Sequence, residues 1–244
     1  MSIVKKDYIR PLDIKNGRID MGHGAGGRAA MQLIEELFLA AFDNDYLRQG
    51  DDGAAFAVPQ GERMVMAVDG HVVSPLFFPG GDVGCLSVHG TINDVAMSGA
   101  RPLYLAASFI LEEGFPLADL KRIVESMAAA AREAGVPVIT GDTKVVEQGK
   151  GDGVFISTTG VGVVPAGVDV SGRNARPGDV LLLSGTIGEH GVAVLSQRES
   201  LEFETTIRSD TAALHTLVAA MLQAAPGGVR VLRDPTRGGL ATTL

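Results

Sequence analysis

Between Val83 and Ala100 the chain carries one full charge, Asp94, in a run where Cys85, Val88, Ile92 and Val95 recur at the three- and four-residue spacing of a buried helical stripe. The segment from Asp69 to Gly99 therefore joins the end of an apolar strand to a buried helix, and the rest of the chain is arranged around it. Asp94 lies two residues past Ile92, so at about 100° per residue it points away from the stripe. An Asp there is a poor helix former and costly if desolvated alone. Two readings stand. Asp94 is a solvated or capping residue, or it meets a metal or a polyanion together with Asp69 and the glycines of Phe78-Pro79-Gly80-Gly81. Converging carboxylates repel one another, and a divalent ion removes that penalty.

A chain of 244 residues, 45% hydrophobic and 20% charged, can bury a core of one large domain or two small ones. Its formal charge of −8 argues against nucleic acid as the main partner, because phosphate backbones need a basic face. Anionic ligands then have to be held locally, by amides, a few Lys or Arg side chains and a metal. Cys85 is the single cysteine, which excludes an internal disulfide and fits a reducing cytoplasm; on the apolar stripe it reads as a packed thiol. The N-terminal residues MSIVKKDYIRPLDIKNG lack the apolar run of a signal peptide, and Pro102 to Leu111 is too short to span a bilayer. A soluble, cytoplasmic protein without a membrane partner is expected.

Residues 1 to 21 read as an extended arm. Gly22 to Arg28 is a glycine-rich loop entering a helix over Ala29–Phe42, whose Met31, Ile34, Leu37, Phe38 and Ala41 fall at helical spacing. Such a loop presents free N–H groups at the positive end of a helix dipole, which suits a phosphate, although many glycine-rich turns precede helices without a ligand. It matches neither the Walker lysine loop nor the dinucleotide fingerprint. Asp51 and Asp52 sit in a turn between that helix and strand candidates at Ala54–Val58 and Arg63–Val68; they are turn formers or, with Asp69, metal ligands.

Further on, Leu103–Leu111 reads as a buried strand, Leu117–Ala134 as an amphipathic helix stopped by Gly135, and Val136–Thr140 as a short strand running into a polar tip, Gly141-Asp142-Thr143-Lys144. A tip at the carboxyl end of a strand is where open α/β sheets bind ligands, or else a type I turn. Val154–Val164 is another strand, and Pro165-Ala166-Gly167 a domain boundary. Beyond it, Asp179–Ser184 and the residues after Val229 read as strands, with helices at Glu189–Gln197 and Asp210–Gln223. Glu199–Ser209 reads as polar and exposed. A last helix begins after Arg237 as the sequence stops, so the chain reads as truncated.

The order of His23-Gly-Ala-Gly-Gly27, Pro75-Leu-Phe-Phe-Pro-Gly-Gly81, Thr91-Ile-Asn-Asp-Val-Ala-Met-Ser-Gly-Ala100, Ile110-Leu-Glu-Glu-Gly114, Gly141-Asp-Thr-Lys-Val-Val146 and Arg233-Asp-Pro-Thr-Arg-Gly-Gly239 closely resembles the HypE family of hydrogenase maturation proteins. That family belongs to the PurM-like ATP-binding superfamily, with selenophosphate synthetase and thiamine-monophosphate kinase. The resemblance implies an α/β (α+β) architecture. A PurM-like N-terminal domain over residues 1–165 pairs with a second copy in a dimeric β-barrel, and residues 166–244 form part of an α/β C-terminal domain. It implies a homodimer that uses ATP and Mg²⁺ to dehydrate an S-carbamoyl group on its own C-terminal cysteine. The product is a thiocyanate, the source of the cyanide ligand of the [NiFe] hydrogenase iron. A HypF-like carbamoyltransferase supplies the carbamoyl group, and the HypC–HypD complex receives the cyanide.

By the same resemblance, Asp51 or Asp52, Asp69, Asp94 and Asp234 are metal and phosphate ligands, assisted by Asn93, Asp142 and Thr143, while Gly24, Gly26 and Gly27 cover the phosphates. Lys144 and Arg237, placed in those motifs, are candidates for countering phosphate charge, with surface roles as the alternative; His23, His71 and His89 read as structural groups. The family's chains run on by about a third and end in the modified cysteine, whereas this chain stops at Leu244, so no catalytic residue is named and full turnover is not expected of it. The competing readings are another PurM-like enzyme, such as a selenophosphate synthetase, which calls for a reactive Cys or Sec in the loop where His23-Gly24-Ala25 stands, and a non-catalytic dimeric maturation scaffold.

Overall fold

The computed structural model describes residues 10–25, 27–49, 56, 62–197, 206–236 and 239–244. Asp51, Asp52, Gly26, Arg237 and nearly all of the expected strand at 54–58 lie outside them. A 3-10 turn, Met21–Gly24, leads into α1 (Arg28–Leu33), which continues through a π-helical stretch, Ile34–Leu39, into α2 (Ala40–Phe42). Ala30, Leu33, Leu37 and Phe38 are buried, while Met31, expected inside, is 39% exposed.

Next come β1 (Arg63–His71), the two-residue strands β2 (Phe77–Phe78) and β3 (Gly81–Asp82), α3 (Val83–Met97), β4 (Arg101–Glu112), α4 (Leu117–Ala134), β5 (Val138–Val146) and β6 (Val154–Val164). They build a four-stranded sheet in the order β1-β6-β4-β5, antiparallel except for the β4–β5 pair. That parallel pair needs a crossover, which α4 provides. Helices α3 and α4 cover one face. Val88 and Ile92 of α3, Leu120, Ile123 and Met127 of α4, and Phe109, Leu111 and Ile156 of the sheet interdigitate there. The other face is open, with Met64, Met66, Val68 and Ile110 exposed. Across the described residues the sheet is an open one.

Beyond Val164 follow α5 (Glu189–Leu195), α6 (His215–Ala224) and α7 (Gly239–Thr243). The strands expected at 179–184 and after Val229 do not form. Val180 to Leu183 are more than half exposed, since a strand without a neighbour leaves its backbone groups unpaired and no partner strand lies alongside among the described residues. Helix α6 also starts five residues later than its apolar period suggests, because Ser209–Leu214 is drawn out as a strap across the first domain.

Candidate functional site

Asp82 caps α3, its Oδ1 accepting from the N–H groups of Gly84 and Cys85 at 2.7 and 3.1 Å. Two turns on, Gly90 lies against β1, and its lack of a side chain is what lets the strand approach: a β-carbon there would sit 3.1 Å from His71 Cε1 and 3.4 Å from Asp69 Oδ2. Asp69 faces α3 with its side chain 30% exposed, and Oδ1 accepts from the Gly70 N–H. Behind it His71 Nε2 is 3.7 Å from Asp69 Oδ2 and 3.1 Å from Thr158 Oγ1. The buried Thr158 hydroxyl also donates to the Ser87 carbonyl and stands 2.6 Å from Thr91 Oγ1. With its one proton given to Ser87, Thr158 has to accept from both Thr91 and His71, so the imidazole carries its proton on Nε2. Burial pushes the His71 pKa below the ordinary imidazole value, against the raising pull of Asp69.

Asp94 is half-buried on α3, one residue after Asn93. Asn93, expected to assist the metal and phosphate ligands, bonds the strap: Nδ2 donates to the Ala212 carbonyl and Oδ1 accepts from the Leu214 N–H. Gly80 and Gly81, read as part of an anion cradle, are taken up by the same strap. Ser209 N–H donates to the Pro79 carbonyl, a β-carbon at Gly80 would fall 2.7 Å from Ser209 N, and its φ of +96° suits glycine.

The Gly141-Asp142-Thr143-Lys144 segment is not a tip. It continues β5 as far as Val146, the sheet's second edge, because β4 offers a parallel ladder from Leu105 to Glu112 to pair with. Across the sheet, Asp69, Thr158, Ala107 and Gly141 form one row of partners. Asp69 and Asp142 are thus three strand spacings apart, about 14 Å. Their side chains also project from opposite faces, since Asp142 is one residue out of that row. Thr143 shares the face of Asp69, while Lys144 is on the open face with its Nζ 3.3 Å from Asp142 Oδ2. The glycine loop does reach this edge: a β-carbon at Gly24 would lie 2.9 Å from the backbone nitrogen of Val145. Gly27 precedes α1 with open space around it. Asp234, half-buried, accepts from Thr236 Oγ1 at 2.8 Å.

Among the described residues no group of three or more His, Cys, Asp or Glu side chains forms a ready metal cage. Mg²⁺ does not require one, since it uses one or two carboxylates with waters and substrate phosphates.

Residues 50–164 match the family described as AIR synthase related protein, N-terminal domain, and residues 176–244 match its C-terminal domain. The chain is 81% identical over 241 residues to a carbamoyl dehydratase HypE of Cupriavidus necator, an alignment that takes in 99% of this chain and 68% of that protein. Among solved structures it is similar to the hydrogenase maturation protein HypE in complex with ATP, at 51% identity and a TM-score of 0.87 over 92% of this chain and 66% of that one. It is also similar to a chain of a HypE–HypF complex, at 54% identity and a TM-score of 0.73 over 87% of this chain and 68% of that one. The chain therefore spans about two thirds of the length of these relatives. Among the described residues no helix is long and apolar enough to cross a membrane.

Proposed function

As the chain belongs to the HypE family of hydrogenase maturation proteins, built of the two AIR synthase related domains, we propose that it takes part in the family's ATP-dependent carbamoyl dehydration. The observation that carries this reading is 81% identity, across 99% of the chain, to a carbamoyl dehydratase. ATP, when bound, supplies the phosphoryl group that lets the oxygen of an S-carbamoyl group depart as phosphate, leaving the nitrile of a thiocyanate. An amide oxygen is otherwise a poor leaving group, and such transfer rests on positioning and charge neutralisation.

In this reading Asp69 and Asp94, with Asp51 or Asp52 and Asp234, hold Mg²⁺ against the phosphates. Gly24, Gly26 and Gly27 are the candidates for covering the phosphates, and Arg237 for countering their charge. The hydrogen bond from Gly70 and the His71–Thr158 contact behind it keep Asp69 on the α3 side of the sheet. The domain boundary falls at about Pro165, in keeping with family matches that end at 164 and resume at 176. A second copy covers the open sheet face, where Met66 and Val68 are 74% and 67% exposed, and closes a barrel with it. Asp142 and Lys144 then lie within that dimer rather than beside Asp69, and Thr143 remains on the Asp69 face. A HypF-like carbamoyltransferase is the donor partner, in line with the solved HypE–HypF complex, and a HypC–HypD complex the acceptor, in the cytoplasm.

Calorimetric titration of ATP with Mg²⁺ into the chain and into Asp94→Ala tests this, with fold and dimer state checked on the same samples. Saturable binding that Asp94→Ala removes from a folded dimer is expected. Equal binding by both proteins, or none by a folded parent, would overturn the site.

A further inference from the structure

The Asn93 carboxamide donates to Ala212 O at 2.9 Å and accepts from Leu214 N–H at 2.8 Å. One bond given and one received, to residues two apart, is what the N–H and C=O of a single residue in a neighbouring parallel strand would make. A single planar amide stands in for it. The same segment is fastened at three more points. Thr211 Oγ1 is 3.0 Å from His89 Nδ1, Ser209 N–H donates to Pro79 O at 2.7 Å, and Ser209 Oγ is 2.9 Å from His190 Nδ1. Helix α6 begins at His215 and has no capping side chain of its own, so Asn93 Oδ1 takes the N–H of its N-cap residue, Leu214, from 121 positions away in sequence.

We propose that Asn93 is a positioning residue: it clamps the Ser209–Leu214 strap, and α6 behind it, onto α3, and it acts on the nucleotide only through that clamp. The consequence for ATP rests on the reading of Asp69 and Asp94 given above. The clamp itself rests on hydrogen bonds alone. Only a carboxamide serves both partners, for an Asp at this position would set a carboxylate oxygen against the Ala212 carbonyl, and an Ala would leave both backbone groups to water. Because Asn93 immediately precedes Asp94 on α3, a change in how the strap sits reaches the acidic side chain without any contact between Asn93 and phosphate.

Two readouts on the same proteins test the proposal: hydrogen exchange at the Leu214 amide without nucleotide, and the Kd for ATP with Mg²⁺. Asn93→Ala is expected to speed Leu214 exchange about tenfold, the scale of one lost hydrogen bond, and to weaken ATP several-fold. Thr211→Val, which leaves Asn93 intact and loosens the strap from His89, is expected to shift both readouts in the same direction. The double variant should bind ATP no more weakly than Asn93→Ala alone, since the two lesions release one strap. Asn93→Asp, nearly isosteric, covers the case in which Asn93→Ala does not fold. Unchanged Leu214 exchange in the Asn93 variants would overturn the clamp. Multiplying effects of the two lesions on the Kd would place Asn93 on the nucleotide itself and overturn the proposal as well. A folded parent that binds no ATP would sink the nucleotide reading instead, and the exchange comparison would then decide the clamp by itself.

Discussion

His71 Nε2 and Thr158 Oγ1 lie 3.1 Å apart across β1 and β6, and Thr158 passes the contact on to the Ser87 carbonyl on α3. Three elements meet at that hydroxyl, and the contact from His71 needs an imidazole that carries a proton on Nε2. Burial pushes His71, His89 and His190 below the ordinary imidazole value, opposed only in part by nearby carboxylates.

The pH dependence follows with a definite sign. The unfolded chain recovers an imidazole pKa near 6.5, above the depressed values in the fold, so below about pH 6.5 the unfolded state binds more protons. Stability is therefore fully present above that pH and is lost as pH falls toward the folded values. Denaturant midpoints at about pH 7 and about pH 5.5 should show the parent losing stability. His71→Gln, starting from a lower midpoint, should lose less over the same interval. Parallel curves for the two proteins would show that His71 is not among the groups responsible.

The first domain was legible wherever a pattern had a structural partner to answer it. Leu117–Ala134 and Val154–Val164 have the bounds their periodicity suggested, and Val88, Ile92 and Val95 form the buried stripe of α3. The pattern failed where pairing or a distant segment decided. Gly141-Asp142-Thr143-Lys144 read as a polar tip at the end of a strand, or else a type I turn, yet the β4 ladder extends β5 through them. Apolar residues at 180–183 read as a strand, yet nothing among the described residues pairs with them. In the site, the proximity of Asp69 to α3 was implicit in its place between strand and helix. That Asn93 serves Ala212 and Leu214 could not be read, because no local signal connects residues so far apart; the one hint was a polar side chain on a nearly uncharged helix.

Met66 is 74% exposed on β1, in line with Met64 and Val68, on an edge strand whose outer side is unpaired among the described residues. Such an apolar face on an edge needs a cover or a gatekeeper charge. Met66→Lys puts a charge at its centre. If a second copy covers it, sedimentation velocity should show the variant shifted to monomer at concentrations where the parent is dimeric, with far-UV circular dichroism unchanged. An unshifted dimer would move the interface elsewhere on the molecule.

At Gly84, α3 passes close against α4. A β-carbon there would land on the carbonyl oxygen of Ile123 and within 2.9 Å of Asp82 Oδ1, the atom that caps α3. Neither neighbour can yield. Ile123 is fully buried in the middle of α4, and Asp82, 8% exposed, already serves two helix N–H groups. Alanine gains about 1 kcal/mol in helix propensity, but overpacking against a backbone oxygen opposes it more strongly, for a net loss of about 2–3 kcal/mol. On a chain of this size that lowers Tm by roughly 5–10 °C. Gly172→Ala, where a β-carbon meets nothing within 4 Å, is the matched control and should leave Tm within about 1 °C. Should the two variants melt together, α3 would have room to move away from α4. Asp94, Asn93 and the strap all ride on α3, so their geometry would then not be set by the core beneath them.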